Sequence, residues 1–172
     1  MRCVLCLRWY AVASVLRCSH LNRALGFGKG FMEIKDYSDD FLEAVGELYL
    51  SARVSTFTWL DTSGYQLSDF SRDTEGERVL VAVAGSEVLG FISIWEPENF
   101  IHHLYISNNH QGKNIGTQLL EKAKSSYSGL SLKCMSENER AIGFYESNGF
   151  MKVQKGADSL GDYYLMEFSA KT

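Results

Sequence analysis

The chain is short of the features that would tie it to fibres, membranes or disulfide scaffolds. One proline among 172 residues, with 15 glycines, excludes collagen and proline-rich disorder. No apolar stretch approaches the ~20 residues of a membrane helix, and Val79 to Ala84 is among the longest, so no membrane partner is expected. Cys3, Cys6 and Cys18 all precede residue 32, which leaves the rest of the chain with Cys134 alone and no internal disulfide to form. That usage fits a reducing compartment, and a cytoplasmic location is expected. Residues 1–31 also lack acids and hold five Lys/Arg, whereas the remainder holds 12 Lys/Arg against 21 Asp/Glu. A body this acidic does not favour polyanions, so nucleic acid is not an expected partner.

What is present fits one globular domain: 45% hydrophobic and 22% charged residues over a length that buries a single core. The basic head has a Cys3-x-x-Cys6 spacing, but no second ligand pair follows at finger spacing, and no metal is expected. The head also imitates a targeting segment, with Ala11-Val12-Ala13 as a cleavage-like triplet, yet Arg8 interrupts the apolar stretch that such a signal needs. Met32 begins a strand pattern at once. The expected organisation is therefore a basic extension over 1–31 and a domain over 32–172.

Met32 to Lys35 alternates like a strand, and from Ser38 the positions Phe41, Val45, Leu48, Tyr49 and Ala52 follow the spacing of an amphipathic helix. Residues 55–76 mix aromatics with turn formers, which predicts a short helix inside a loop that borders a pocket. Arg78–Ala84 and Val88–Trp95 flank Gly85 as an antiparallel hairpin that Pro97 ends. Phe100–Ile106 predicts a strand, the stripe Ile115, Leu119, Leu120 and Ala123 a helix, and Leu130–Met135 another strand. Ser136-x-x-Glu139 has the form of a capping box, opening a helix that stops at Asn148-Gly149. Phe150–Val153 and Tyr163–Phe168 predict two closing strands. The fold class expected is α/β, in the α+β sense: one mixed, mostly antiparallel central sheet covered by helices.

The segment His110-Gln111-Gly112-Lys113-Asn114-Ile115-Gly116 joins a strand to a helix, where successive N–H groups and the helix dipole hold phosphate. It is neither a P-loop nor a Rossmann fingerprint, because both glycine patterns are absent. It resembles the Q/R-x-x-G-x-G/A signature of the GNAT superfamily of acetyl-CoA-dependent N-acetyltransferases, with Gln111, Asn114 and Gly116 at the signature places. Asn114 stands where glycine is usual, and asparagine tolerates a left-handed backbone best among the other residues. A second family motif, N-x-x-A-x-x-F-Y-x-x-x-G-F, is matched by Asn138, Ala141, Phe144, Tyr145, Gly149 and Phe150. The resemblance spans about residues 32–169.

The resemblance implies a GNAT-like fold whose two central strands splay into a wedge for acetyl-CoA, used as co-substrate without metal. By similarity, the backbone of Leu104, Tyr105 and Ile106 would pair with the pantetheine arm, while Gln111, Gly112, Lys113, Asn114, Ile115, Gly116 and Thr117 would bind the pyrophosphate. Asn138 would hydrogen-bond the arm, against the plainer role of starting its helix. Tyr145 would protonate the departing thiolate, since a tyrosine keeps its proton at pH 7 with an ordinary pKa of ~10. Helical geometry puts Phe144 and Ala141 on the inward stripe, with Tyr145 about 100° further round. A base for the attacking amine is looked for in His102 and His103, which strand alternation sends to opposite faces, with Glu96, Glu98 and Glu47 as weaker candidates. Cys134 offers no activated nucleophile. The expected activity is acetyl transfer to a primary amine of a small molecule or peptide in a ternary complex; the alternative is a non-catalytic acyl-CoA sensor. Helix one, residues 55–76 and the hairpin around Asp158 to Tyr163 would set the acceptor, their acids and aromatics suiting a cationic, partly apolar amine. Many proteins of this family pair as dimers, so the resemblance leaves a homodimer open without the sequence deciding it.

Overall fold

A computed structural model describes residues 32–170. The basic extension 1–31 and its Cys3/Cys6 pair lie outside the described residues. The elements follow the expected order: β1 (Met32–Asp36), α1 (Leu42–Thr56), α2 (Asp69–Asp73), β2 (Arg78–Ala84), β3 (Glu87–Trp95), β4 (Phe100–Ile106), α3 (Ile115–Lys124), β5 (Gly129–Met135), α4 (Glu139–Ser147), β6 (Met151–Asp158) and β7 (Gly161–Ser169). They form one seven-stranded sheet in the order β1-β2-β3-β4-β5-β7-β6. Only the β4–β5 pair is parallel; the remaining neighbours are antiparallel. No helix among the described residues is long and apolar enough to cross a membrane.

Helices cover both faces of the sheet, and the two faces bury different chemistry. On one side α3 and α4 set Ile115, Leu119, Leu120, Ala123, Ala141 and Ile142 against the aliphatic residues of β2 to β5. Each Leu or Ile buried there contributes roughly 1.5–3 kcal/mol. On the other side α1 and α2 set Val45, Leu48, Tyr49, Ala52 and Phe70 against Val79, Val81, Val83, Phe91 and Tyr105. That second core is aromatic, with Tyr49 edge-on to Phe70, Phe91 and Tyr105 at centroid distances of 6.0, 5.9 and 5.4 Å.

Three local expectations are corrected. The first turn of helix one is a separate 3-10 turn, Asp39–Phe41, and the α-helix begins at Leu42. The capping box on Ser136 does not form: Asn138 caps α4 instead, its Oδ1 accepting from the Ala141 N–H at 3.0 Å, while the Ser136 hydroxyl turns to Glu137. A turn from Met135 to Asn138 delivers asparagine to the cap, so the serine lies too early in the chain. The closing hairpin is also longer than its apolar residues suggest. β6 continues through Gln154, Lys155 and Gly156 to Asp158 as an exposed edge strand, held by backbone pairing to β7 rather than by alternation of side chains.

Candidate active site

The site begins where the sheet splits. β4 and β5 pair only at Phe100–Ser131 and Ile101–Leu132, after which the ladder ends and the strands diverge. Leu104, Tyr105 and Ile106 occupy the diverging part of β4, as expected for a wedge. At its mouth the chain turns through Gln111 into α3. Gly112 and Asn114 both take left-handed backbone, with φ of 76° and 64°, so asparagine fills its place in the turn without breaking it. The first bond into α3 runs from the Gln118 N–H to the Asn114 carbonyl at 3.1 Å. The amides of Ile115, Gly116 and Thr117 therefore lie in a first turn that offers them no helical acceptor. Gly116 is needed for closeness rather than φ, because a Cβ there would sit 3.2 Å from Cζ of Phe144.

Three buried polar atoms around this wedge have no hydrogen-bond partner: Oε1 of Gln111, Nδ2 of Asn138 and the hydroxyl of Tyr145. Gln111 is fixed by its other end, Nε2 donating to Asn108 Oδ1 at 3.0 Å. Asn138 serves both of its roles at once, since Oδ1 caps α4 while Nδ2 is left over. Tyr145 is fully buried and Phe144 only partly so, which corrects the inward stripe of α4 to Ala141, Ile142 and Tyr145. Burial raises the Tyr145 pKa well above 10, with Cys134 of β5 and Tyr105 of β4 adding to the shift from the two strands of the fork. The phenol thus keeps its proton at any physiological pH. Cys134 is itself buried, its thiol pushed up to about 12, which leaves it no thiolate.

The two histidines do not point to opposite faces. β4 carries one extra residue against β3, since Ser93 faces His103 and Ile94 faces Ile101. This bulge at His102 sends Ile101 and Leu104 to the α3/α4 core and turns both histidines to the other side, their rings 6.2 Å apart. His102 Nδ1 is hydrogen-bonded to Glu77 Oε1, and both side chains are buried. His103 packs edge-on to Tyr49 at 5.1 Å. Burial pushes its pKa down to about 3, helped by His102 and Arg53, and Glu77 only partly opposes this. The backbone of Asp73 pulls the same way as Glu77 but does not reach hydrogen-bond geometry with the ring. His103 is therefore neutral and a poor base, whereas His102 is held by a carboxylate. The glutamates weighed beside them lie elsewhere. Glu96 accepts from the Tyr127 hydroxyl, Glu98 borders a groove with Ser128, and Glu47 is exposed on α1.

Sequence reasoning missed Glu77, which reads as a turn charge, and it missed the charged cluster under α1. Arg53 is 3% exposed, its guanidinium lying 4.1 Å from the ring centroids of both Tyr49 and Tyr65. Its Nη2 meets Asp69 Oδ2 at 2.6 Å and its Nη1 lies 3.6 Å from Asp73 Oδ2. Arg72 pairs with both acids at 2.9 Å, and the Tyr49 hydroxyl donates to Asp73 at 3.0 Å. Burial raises the Asp69 pKa, but the bonds from Arg53 and the Gln66 N–H prevail and hold it below 3.8. One signal was available: position 53 continues the inward stripe 45, 49, 52 of α1, and a charge on that face calls for a partner.

Two cavities border the turn after α1. A cleft of about 560 Å³ runs between Thr56, Thr58 and Trp59 on one wall and Gln111, Asn138 and Arg140 on the other. A void of about 20 Å³ lies behind Phe57, against Arg53, His103 and Tyr105. The cleft has the size of a ligand site, and the unpartnered Asn138 and Gln111 atoms belong to residues of its wall.

Residues 75–152 match a family model described as an acetyltransferase (GNAT) domain. Solved structures share the fold. The PaiA N-acetyltransferase of Thermoplasma acidophilum, in complex with coenzyme A, is 23% identical and superposes with a TM-score of 0.67 over 80% of this chain and 98% of its own. YncA of Salmonella typhimurium, with its cofactor acetyl-CoA, is 20% identical at a TM-score of 0.62, over 81% of this chain and 94% of its own. An N-acetyltransferase of Staphylococcus aureus is 21% identical at a TM-score of 0.62, over 81% and 99%. No curated protein matches the chain.

Proposed function

We propose that the chain, which matches a GNAT acetyltransferase domain model over residues 75–152 and shares the fold of GNAT structures, moves an acetyl group directly from acetyl-CoA to a primary amine. The observation that carries this reading is the fork of β4 and β5 beside three unpartnered buried polar atoms, on Gln111, Asn138 and Tyr145. Such atoms are costly in a finished core and are the natural contacts of a ligand in the wedge. The activity resides in residues 32–172, with 1–31 as an extension.

The amides of Gln111 to Thr117, with Lys113 beside them, would hold the pyrophosphate at the N-terminus of α3. The backbone of Leu104, Tyr105 and Ile106 would receive the pantetheine arm as an added strand, and Asn138 Nδ2 would donate to it. Acetyl-CoA supplies the activated acyl group when bound. Tyr145 gives its phenolic proton to the sulfur as the carbon–sulfur bond breaks and the carbon–nitrogen bond forms. His102 takes the amine proton: the Glu77 carboxylate at Nδ1 fixes the tautomer and supports the charge that the ring then gains.

Calorimetric titration of the full chain with acetyl-CoA, followed by a CoA-release assay over primary amines, tests the proposal. At 100 times its Kd, acetyl-CoA should add roughly 2.7 kcal/mol of stability. Binding without CoA release from any amine would leave an acyl-CoA sensor; no binding of acetyl-CoA or longer acyl-CoAs would overturn the reading.

A further inference from the structure

Two of the acids in the segment expected to attract a cationic acceptor already face cations. Asp69 and Asp73 face Arg53 and Arg72, so two carboxylates meet two guanidinium groups and the cluster is balanced. Neither a second cation nor a carboxylate ligand gains from entering it, and buried Glu77 opposes a carboxylate further. One donor is left over. The Arg53 faces are covered by Tyr49 and Tyr65 and its terminal nitrogens are turned to the acids, while Nε is buried without a hydrogen-bond partner. A buried N–H of a charged group that finds no acceptor is costly, and a neutral oxygen is the acceptor that a charge-balanced cluster admits.

The position of Arg53 says whose oxygen that is. It borders the void behind Phe57, together with His103 and Tyr105 of β4 at the fork. Thr56 and Thr58, on either side of Phe57, border the large cleft, so void and cleft flank the same turn, and Tyr105 brings the void to the diverging part of β4. Its volume of about 20 Å³ admits about one heavy-atom group, and Phe57, Leu60 and Leu160 around it are apolar. Resting on the acyl-transfer reading, we propose that the acceptor is an α-amino amide, and that Arg53 selects it by donating Nε–H to the neutral carbonyl oxygen beside the reacting amine. A free amino-acid amide and a peptide N-terminus share that chemistry.

The test compares phenylalaninamide, phenylalanyl-alaninamide, phenylalanine and phenethylamine as acceptors for the full chain, with kcat/KM expressed per neutral amine. Each carbonyl compound should exceed phenethylamine by at least about tenfold, with phenylalanine poorest, because the hydrogen bond to a charged donor is lost or the charge is wrong. Whichever of the two carbonyl compounds leads names the source of the acceptor and supports the inference. Arg53→Lys keeps the charge opposite Asp69 and Asp73 but removes Nε–H, so the ratio should collapse toward one while the acetyl-CoA Kd stays unchanged. Equal rates for amide and phenethylamine, a ratio preserved in Arg53→Lys, or acetyl-CoA binding without turnover of any of the four overturns the inference. Only a failure to bind acetyl-CoA overturns the acyl-transfer reading with it. Should the lysine variant not fold, the ranking by the native chain decides.

Discussion

The two faces of the sheet are built from different materials. On the α3/α4 face the core is aliphatic, and the groups that the proposed function draws on are backbone amides, an asparagine amide and one phenol. On the α1/α2 face the core is aromatic and holds a buried network of Arg53, Asp69, Asp73, Glu77 and two histidines. A cofactor common to many enzymes can be held by main-chain geometry, which any sequence that folds this way supplies. An acceptor particular to one enzyme needs side chains, and those must be neutralised within the core before they can recognise anything.

The largest effect expected from breaking this contrast is at Tyr145, the side chain of the α3/α4 face to which the proposed mechanism gives the proton transfer. Tyr145→Phe removes the hydroxyl that has no protein partner, so kcat should fall by about 10²- to 10⁴-fold while the acetyl-CoA Kd moves by less than about threefold. A kcat close to that of the native chain would take proton donation away from that face altogether.

A second effect, on stability, belongs to the α1/α2 face. His103 is held neutral by burial, its pKa pushed from 6.5 to about 3. On acidification the unfolded chain takes up this proton before the folded one. The contribution is therefore complete above pH 6.5 and is lost as the pH falls toward about 3, at up to about 1.4 kcal/mol per pH unit. Urea unfolding at a series of pH values should show that loss in the native chain and a flatter dependence in His103→Leu. Parallel curves for the two proteins would mean that the ring titrates alike in the folded and unfolded chains.

The smallest effect tests how far backbone geometry alone would serve the proposed cofactor. Asn114 already holds φ at 64°, so Asn114→Gly changes little of the turn and removes a side chain beside the proposed phosphate cradle. Acetyl-CoA should bind about two- to fivefold more tightly, with stability within about 1 kcal/mol of the native chain. A weakened complex would show that the asparagine side chain itself contacts the cofactor.

Much of the α3/α4 face was legible in the sequence because its signals are local. Gln111, Asn114 and Gly116 lie within one turn, and Asn138 to Phe150 within one helix and its stop, where Gly149 takes φ of 84°. The α1/α2 face was legible only as a stripe, Val45, Leu48, Tyr49 and Ala52. Arg53 sits on that stripe, but its partners arrive 16 and 20 positions later from a five-residue helix with no strong pattern. The histidines show the same limit. Alternation along β4 was the correct rule for an unbroken strand, and one inserted residue at His102 reversed its outcome.

By itself the sequence determined the order of elements, the cradle before α3 and the burial of most of the core, since each depends on residues close together in the chain. Only the tertiary structure decided that Tyr145 faces the fork, that Glu77 holds His102 and that Arg53 is neutralised by two acids yet keeps a donor. Those pairings join residues from separate elements, and their orientation depends on where β4 bulges and where β4 and β5 part, which no local pattern encodes.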